Sequence, residues 1–158
     1  MISRTLTLIC LALAFTILVI FDYFGAVTLH WRFMVFAAFL GILIVILDWV
    51  KTKKKNYRIY IPVFFLSLLV LRAIEISPVK PFKLFYLSLH SGLTQSDPPN
   101  RLQVYFPEGG KYKRPSTIVS EDGSMVVVLD PDDNRYNSEI IHISFQNGRI
   151  KSTAYYPD

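Results

Sequence analysis

The chain has 158 residues, a net charge of +5 and 52% hydrophobic residues, with a mean hydropathy of +0.36, which is too apolar for an ordinary soluble domain of this size. Residues 1–76 hold eight Lys or Arg against three Asp or Glu, whereas residues 77–158 hold nine of each. The basic excess belongs to the oily part, so it is a topology signal. It argues against nucleic-acid binding, which needs a basic face on a folded domain.

Three apolar segments follow in chain order, predicted as spans over about residues 5–24, 31–50 and 58–76. The first carries no charge from Thr5 to Phe21, enough with its flank to cross roughly 30 Å of hydrocarbon. No small-x-small cleavage site follows it, so it is expected to be a retained anchor. Cys10 lies inside the run and lacks the preceding small residue that lipid modification needs; it is expected to be a small hydrophobe. The second segment, Phe33 to Leu47, is lengthened by Trp31 and Trp49, which suit the two membrane interfaces. Its Ala37 and Gly41 make one small-xxx-small step, more often ordinary membrane composition than a helix seat. The third has only thirteen residues between Arg58 and Arg72. It spans if Arg72 and Glu75 sit at the headgroups as a helical i, i+3 pair, with Pro62 in the first turn.

Between the second and third segments stand Lys51, Lys53, Lys54, Lys55 and Arg58. Lysine and arginine are retained on the cytoplasmic side. With Arg4 these cations outnumber Arg32, Arg72, Lys80 and Lys83 on the other side, which predicts a cytoplasmic N-terminus and an outward-facing domain from Ser77 onward. The expected location is a bacterial inner membrane, with that domain periplasmic or extracellular and the bilayer itself a partner. A polybasic lipid switch is the lesser alternative for so short a loop. No ionisable residue falls in the middle of a segment, as a transport path would require.

The outer part, residues 77–158, has no cysteine with which to staple a small core. Phe82, Phe85, Tyr86 and Leu89 recur at helical spacing within Pro81–Leu93, predicting an amphipathic helix ended by Ser91-Gly92. Asp97 before Pro98 reads as an N-cap opening a second helix with Leu102, Tyr105 and Phe106 on one stripe. Pro107-Glu108-Gly109-Gly110 stops it. Strands are then expected at Thr117–Ser120 and Met125–Leu129, linked by Glu121-Asp122-Gly123. Asn147-Gly148 predicts a type I′ hairpin pairing Phe145 with Ile150, Ile143 with Ser152 and Ile141 with Ala154, leaving Ile140, His142, Ser144 and Lys151 on the other face. The fold class is a membrane protein with three N-terminal helices followed by a small α+β domain, one or two helices and then an antiparallel sheet.

The order Ser91-Gly92-Leu93-Thr94-Gln95-Ser96-Asp97, a short helix, a Gly-rich turn and Ile141 to Ile150 with its Asn-Gly turn resembles the small bacterial envelope domains of the SmpA/OmlA, or BamE-like, type. That resemblance covers about 70 residues. It implies a scaffold or interaction role and no catalytic residue.

Direct signs of chemistry are few. Asp130-Pro131-Asp132-Asp133-Asn134 opens like a calcium loop, but Arg135 stands at the required glycine and Ile141 at the required glutamate. His30, His90 and His142 are scattered, so no metal site or cofactor is expected. Lys111, Tyr112, Lys113 and Arg114 follow a flexible turn and fit an acidic patch or anionic headgroups, although a solvated loop needs neither. The expected function is a non-enzymatic accessory or assembly subunit of a larger membrane complex. The alternative is a membrane-anchored immunity or inhibitor protein that blocks an incoming toxin or envelope hydrolase.

Overall fold

The computed structural model describes residues 2–52, 57–129 and 138–157, and the chain divides into two compact units, Met1–Ile76 and Ser77–Asp158. Unit 1 contains α1 (Ile2–Gly25), a short 3-10 turn (Val27–Leu29), α2 (Trp31–Thr52) and α3 (Tyr57–Ala73). Helix α2 packs against both α1 and α3. Their shared core is Leu11 and Leu18 from α1, Ala37 and Val45 from α2, and Phe64, Leu68 and Leu71 from α3. Gly41 is buried, and a Cβ there would collide with the Phe64 ring. The small-xxx-small step, expected to be mere composition, is therefore a seat for an aromatic ring.

Among the described residues one helix is long and apolar enough to cross a membrane, over Thr5–Gly25; the apolar stretches of the other two, Trp31–Leu47 and Ile59–Ala73, are shorter. The expectation of three spans is met in helix number, and in length for the first alone. Helix α3 also departs in detail. It begins at Tyr57, so Pro62 lies beyond the first turn and removes the donor that would ordinarily meet the Arg58 carbonyl. It ends at Ala73, which leaves Glu75 outside the helix, and the expected i, i+3 relation of Arg72 and Glu75 does not form on a helical face.

Unit 2 contains α4 (Val79–Ser88), α5 (Asp97–Tyr105), β1 (Ser116–Val119), β2 (Met125–Leu129), β3 (Glu139–Gln146) and β4 (Arg149–Tyr156). The strands form one antiparallel sheet in sequence order. Alternation buries Met125, Val127 and Leu129 of β2, Ile141 and Ile143 of β3, and Ile150 of β4, together with Phe82, Phe85, Leu89, Leu102 and Phe106 of the helical segment. Leu102 and Phe106 are buried as the predicted stripe requires, with Tyr105 half-buried.

Two local expectations are corrected. Helix α4 stops at Ser88, before the predicted Ser91-Gly92, because the chain there leaves to bond elsewhere: Gly92 N and Gln95 N donate to the Ile150 and Gly148 carbonyls, and Ile150 N donates to Leu93 O. Asp97 is the first residue of α5 and its carboxylate points backward, with Oδ2 accepting from Thr94 N at 2.6 Å and Thr94 Oγ1 at 2.8 Å.

The Asn147-Gly148 turn has φ of 54° and 71°, as a type I′ turn demands. Phe145 pairs with Ile150 as predicted. A register shift between Ser144 and Phe145 then sets Ile143 opposite Thr153 and Ile141 opposite Tyr155. Lys151 is the extra residue of this bulge. It reverses the faces of the rest of β4 and sends Tyr155, not Ala154, toward the helices.

Candidate functional site

The residues expected to set topology lie at the α2–α3 connection. Lys51 is in the last turn of α2 and Arg58 in the first turn of α3, while Lys53, Lys54 and Lys55, like the calcium-loop look-alike from Asp130 to Asn134 and Arg135, lie outside the described residues. Trp31 and Trp49 are exposed at the two ends of α2. The Arg32 guanidinium lies 5.8 Å from the Trp31 ring centre. Trp49 joins Val45, Ile46 and Ile61 around an apolar groove of about 230 Å³.

Arg72 belongs to a polar knot that sequence separation concealed. Asp22 is completely buried at the end of α1 and Thr28 nearly so. Asp22 Oδ1 accepts from Thr28 N at 2.9 Å and from Thr28 Oγ1 at 2.6 Å. Arg72 Nη1 then donates to the Thr28 carbonyl at 2.8 Å. Ala26 holds the corner with φ 45°, a left-handed conformation that costs a non-glycine residue about 1–2 kcal/mol. The knot ties α1, the 3-10 turn and α3 into one corner. A carboxylate six residues before a threonine, next to a helix end, was the only local signal.

In unit 2 a second polar cluster centres on Tyr155. Its ring lies 5.3 Å from Tyr86 and 6.5 Å from Phe82, and Lys83 Nζ stands 5.5 Å from its centre, near enough for a cation–π attraction. The phenol is hydrogen-bonded to Glu139, and burial, followed by that bond and the carboxylate's charge, pushes its pKa well above the ordinary tyrosine range. Glu139 is 6% exposed and Lys80, in the first turn of α4, is 1% exposed. Chemically this is a protonated phenol clamping a buried carboxylate where α4 meets the start of β3 and the end of β4. Sequence reasoning missed it because the unbulged hairpin register faces Tyr155 away from the helices.

The predicted partner-contact residues precede β1. Lys111 Nζ lies 4.9 Å from the Tyr112 ring centre, and Arg114 Nη2 reaches the Pro99 carbonyl at 3.5 Å. Lys111, Lys113 and Arg114 are exposed, as are all four residues of β1. The two edges of the sheet differ. The first residues of β4 are covered by the Gly92–Gln95 segment, which bridges at Thr94 and Arg149, and the bulge at Lys151 distorts the next; β1 is a regular, uncharged edge with Ile118 and Val119 more than half exposed.

Among the described residues no three His, Cys, Asp or Glu are grouped so as to hold a metal ion. No family model, curated protein or solved structure matches the chain.

Proposed function

We propose that this protein is an integral-membrane accessory or assembly subunit, which crosses the bacterial inner membrane three times with its N-terminus inside and presents unit 2 on the outer side. The observation that carries this reading is the bareness of all three helices. Leu6 and Phe21 on α1, Phe36 and Phe39 on α2, and Leu66 and Leu69 on α3 are each more than half exposed, an apolar surface beyond what a water-soluble monomer maintains. In a bilayer the two shorter helices are accommodated by local thinning and by Trp31, Trp49 and Arg72 at the interface. The cation-rich α2–α3 connection supplies the orientation.

Unit 2 acts as a binding scaffold, in keeping with its likeness to BamE-like domains, and its Tyr155 cluster fixes shape without turning over a substrate. The test is extraction of the tagged native protein in mild detergent, followed by sizing and mass spectrometry of what remains bound. A stoichiometric large complex is expected. A monodisperse species containing this chain alone, in every mild detergent tried, refutes the reading.

A further inference from the structure

We infer that the β1 edge is a self-recognition surface, on which a second copy of this chain pairs antiparallel to β1 and extends the sheet across a two-fold axis. The edge offers unpaired backbone groups along Ser116–Val119, all exposed, and among the described residues no other segment hydrogen-bonds to its outer side. The opposite edge is strapped by Gly92–Gln95 and bulged at Lys151. Sheets ordinarily blunt an edge with such covers, bulges or charges. None of these lies within β1.

The occupant is specified by charge. Lys113 and Arg114 stand just before β1, and the exposed Glu121 and Asp122 stand just after it. A two-fold interface must complement itself, and antiparallel pairing about β1 sets the basic end of one copy against the acidic end of the other. The ladder also restricts the register. In a regular antiparallel pair opposed residues point their backbone groups the same way, so a strand paired with its own copy must place one residue opposite itself. Centred on Thr117, the pairing sets Lys113 opposite Glu121; centred on Ile118, it sets Arg114 opposite Asp122. Both registers join a cation to a carboxylate at each end; the first sets Val119 opposite Pro115, and the second sets Ile118 opposite its own copy.

Four residues make a short edge. The pairing is accordingly weak in dilute solution and favoured where both copies are held in one membrane, a clause that rests on the membrane reading above. Asp122 is also committed to its turn, since Oδ1 accepts from Ser124 N and Ser124 Oγ. Glu121 is therefore the residue to reverse.

The experiment uses the full chain in mild-detergent micelles, with Cys10→Ala so that each variant has one thiol. Thr117→Cys and Ile118→Cys are oxidised separately, with Val104→Cys, on the exposed face of α5, as the control. One of the two β1 variants is expected to give a predominant disulfide-linked dimer; yields no higher than the control at both positions overturn the proposal. Lys113→Glu/Arg114→Glu and Glu121→Arg are then added to the cross-linking variant. In the Thr117-centred register each alone is expected to lower the cross-linked yield roughly tenfold, because both ends now repel, and mixing the two charge variants is expected to restore it; in the Ile118-centred register, where Arg114 faces Asp122, Lys113→Glu/Arg114→Glu alone is expected to lower it. An unchanged yield with Lys113→Glu/Arg114→Glu or, for the Thr117 cross-link, no recovery on mixing, despite native circular dichroism of each variant, also overturns it. The outcome is separable from the subunit reading: cross-linked dimers with no larger complex refute the latter alone, and a large complex with no β1 cross-link refutes the pairing alone.

Discussion

Unit 1 wears its large apolar side chains on the outside, whereas unit 2 hides its phenylalanines beneath a sheet; each hides a carboxylate, Asp22 in the first and Glu139 in the second. Phe36 and Phe39 are 61% and 62% exposed, while Phe82 and Phe85 are fully buried. The same residue type thus does opposite work in two halves of one chain. Under the membrane reading proposed above, burial follows the solvent of each unit: helices with internal hydrogen bonds tolerate an oily exterior, and a small mixed sheet needs an oily interior.

The contrast is broken most strongly by truncating one aromatic in each unit. Phe82→Ala is expected to destabilise unit 2 by about 3–5 kcal/mol, measured as loss of the cooperative near-ultraviolet transition, while Phe36→Ala leaves unfolding in detergent within about 0.5 kcal/mol of wild type. Asp22→Ala should come next. It strands the Thr28 donors and is expected to cost unit 1 about 2–4 kcal/mol, with Asp22→Asn, which keeps the Oδ1 acceptor, losing less than half of that in the same thermal scan.

Tyr155→Phe sharpens the picture in unit 2 and is expected to cost about 1–2 kcal/mol, because it removes one hydrogen bond from a buried carboxylate. Its pH signature has a definite sign. The folded-state pKa of Tyr155 is raised, so its contribution is complete below the unfolded value of about 10 and declines as pH rises above it. Wild-type unit 2 should lose stability in that alkaline window while Tyr155→Phe stays flatter, as followed by denaturant midpoints. The smallest effect is at Asp97, whose carboxyl is held below 3.8, first by its side-chain hydrogen bond from Thr94. Its contribution is present above that value and fades as pH falls below it. Thr94→Val should move the Asp97 titration upward by NMR with little change in melting.

Much of the architecture was legible in the residues. Apolar run lengths, the Asn147-Gly148 turn and the 3.6-residue spacing of Phe82, Phe85 and Leu89 each depend on neighbours a few positions apart. What escaped depended on distant partners. Arg72 and Thr28 are 44 positions apart, and no local pattern joins them. The early end of α4 was decided by the Ile150 and Gly148 backbone, and the bulge at Lys151 turned Tyr155 inward although strict alternation assigns that side to Ala154. Gly41 escaped for another reason: small-xxx-small steps are common in apolar helices, and only the Phe64 ring lying against it distinguishes a seat from ordinary composition.

The strap from Gly92 to Gln95 also bears on how unit 2 is assembled. It bonds to residues more than fifty positions later, so Gly92 N and Gln95 N lack their native acceptors until the final hairpin exists. Contacts that close such long loops form late and slow the search. During synthesis both helices precede β4, so the strap cannot close until the last strand has been made.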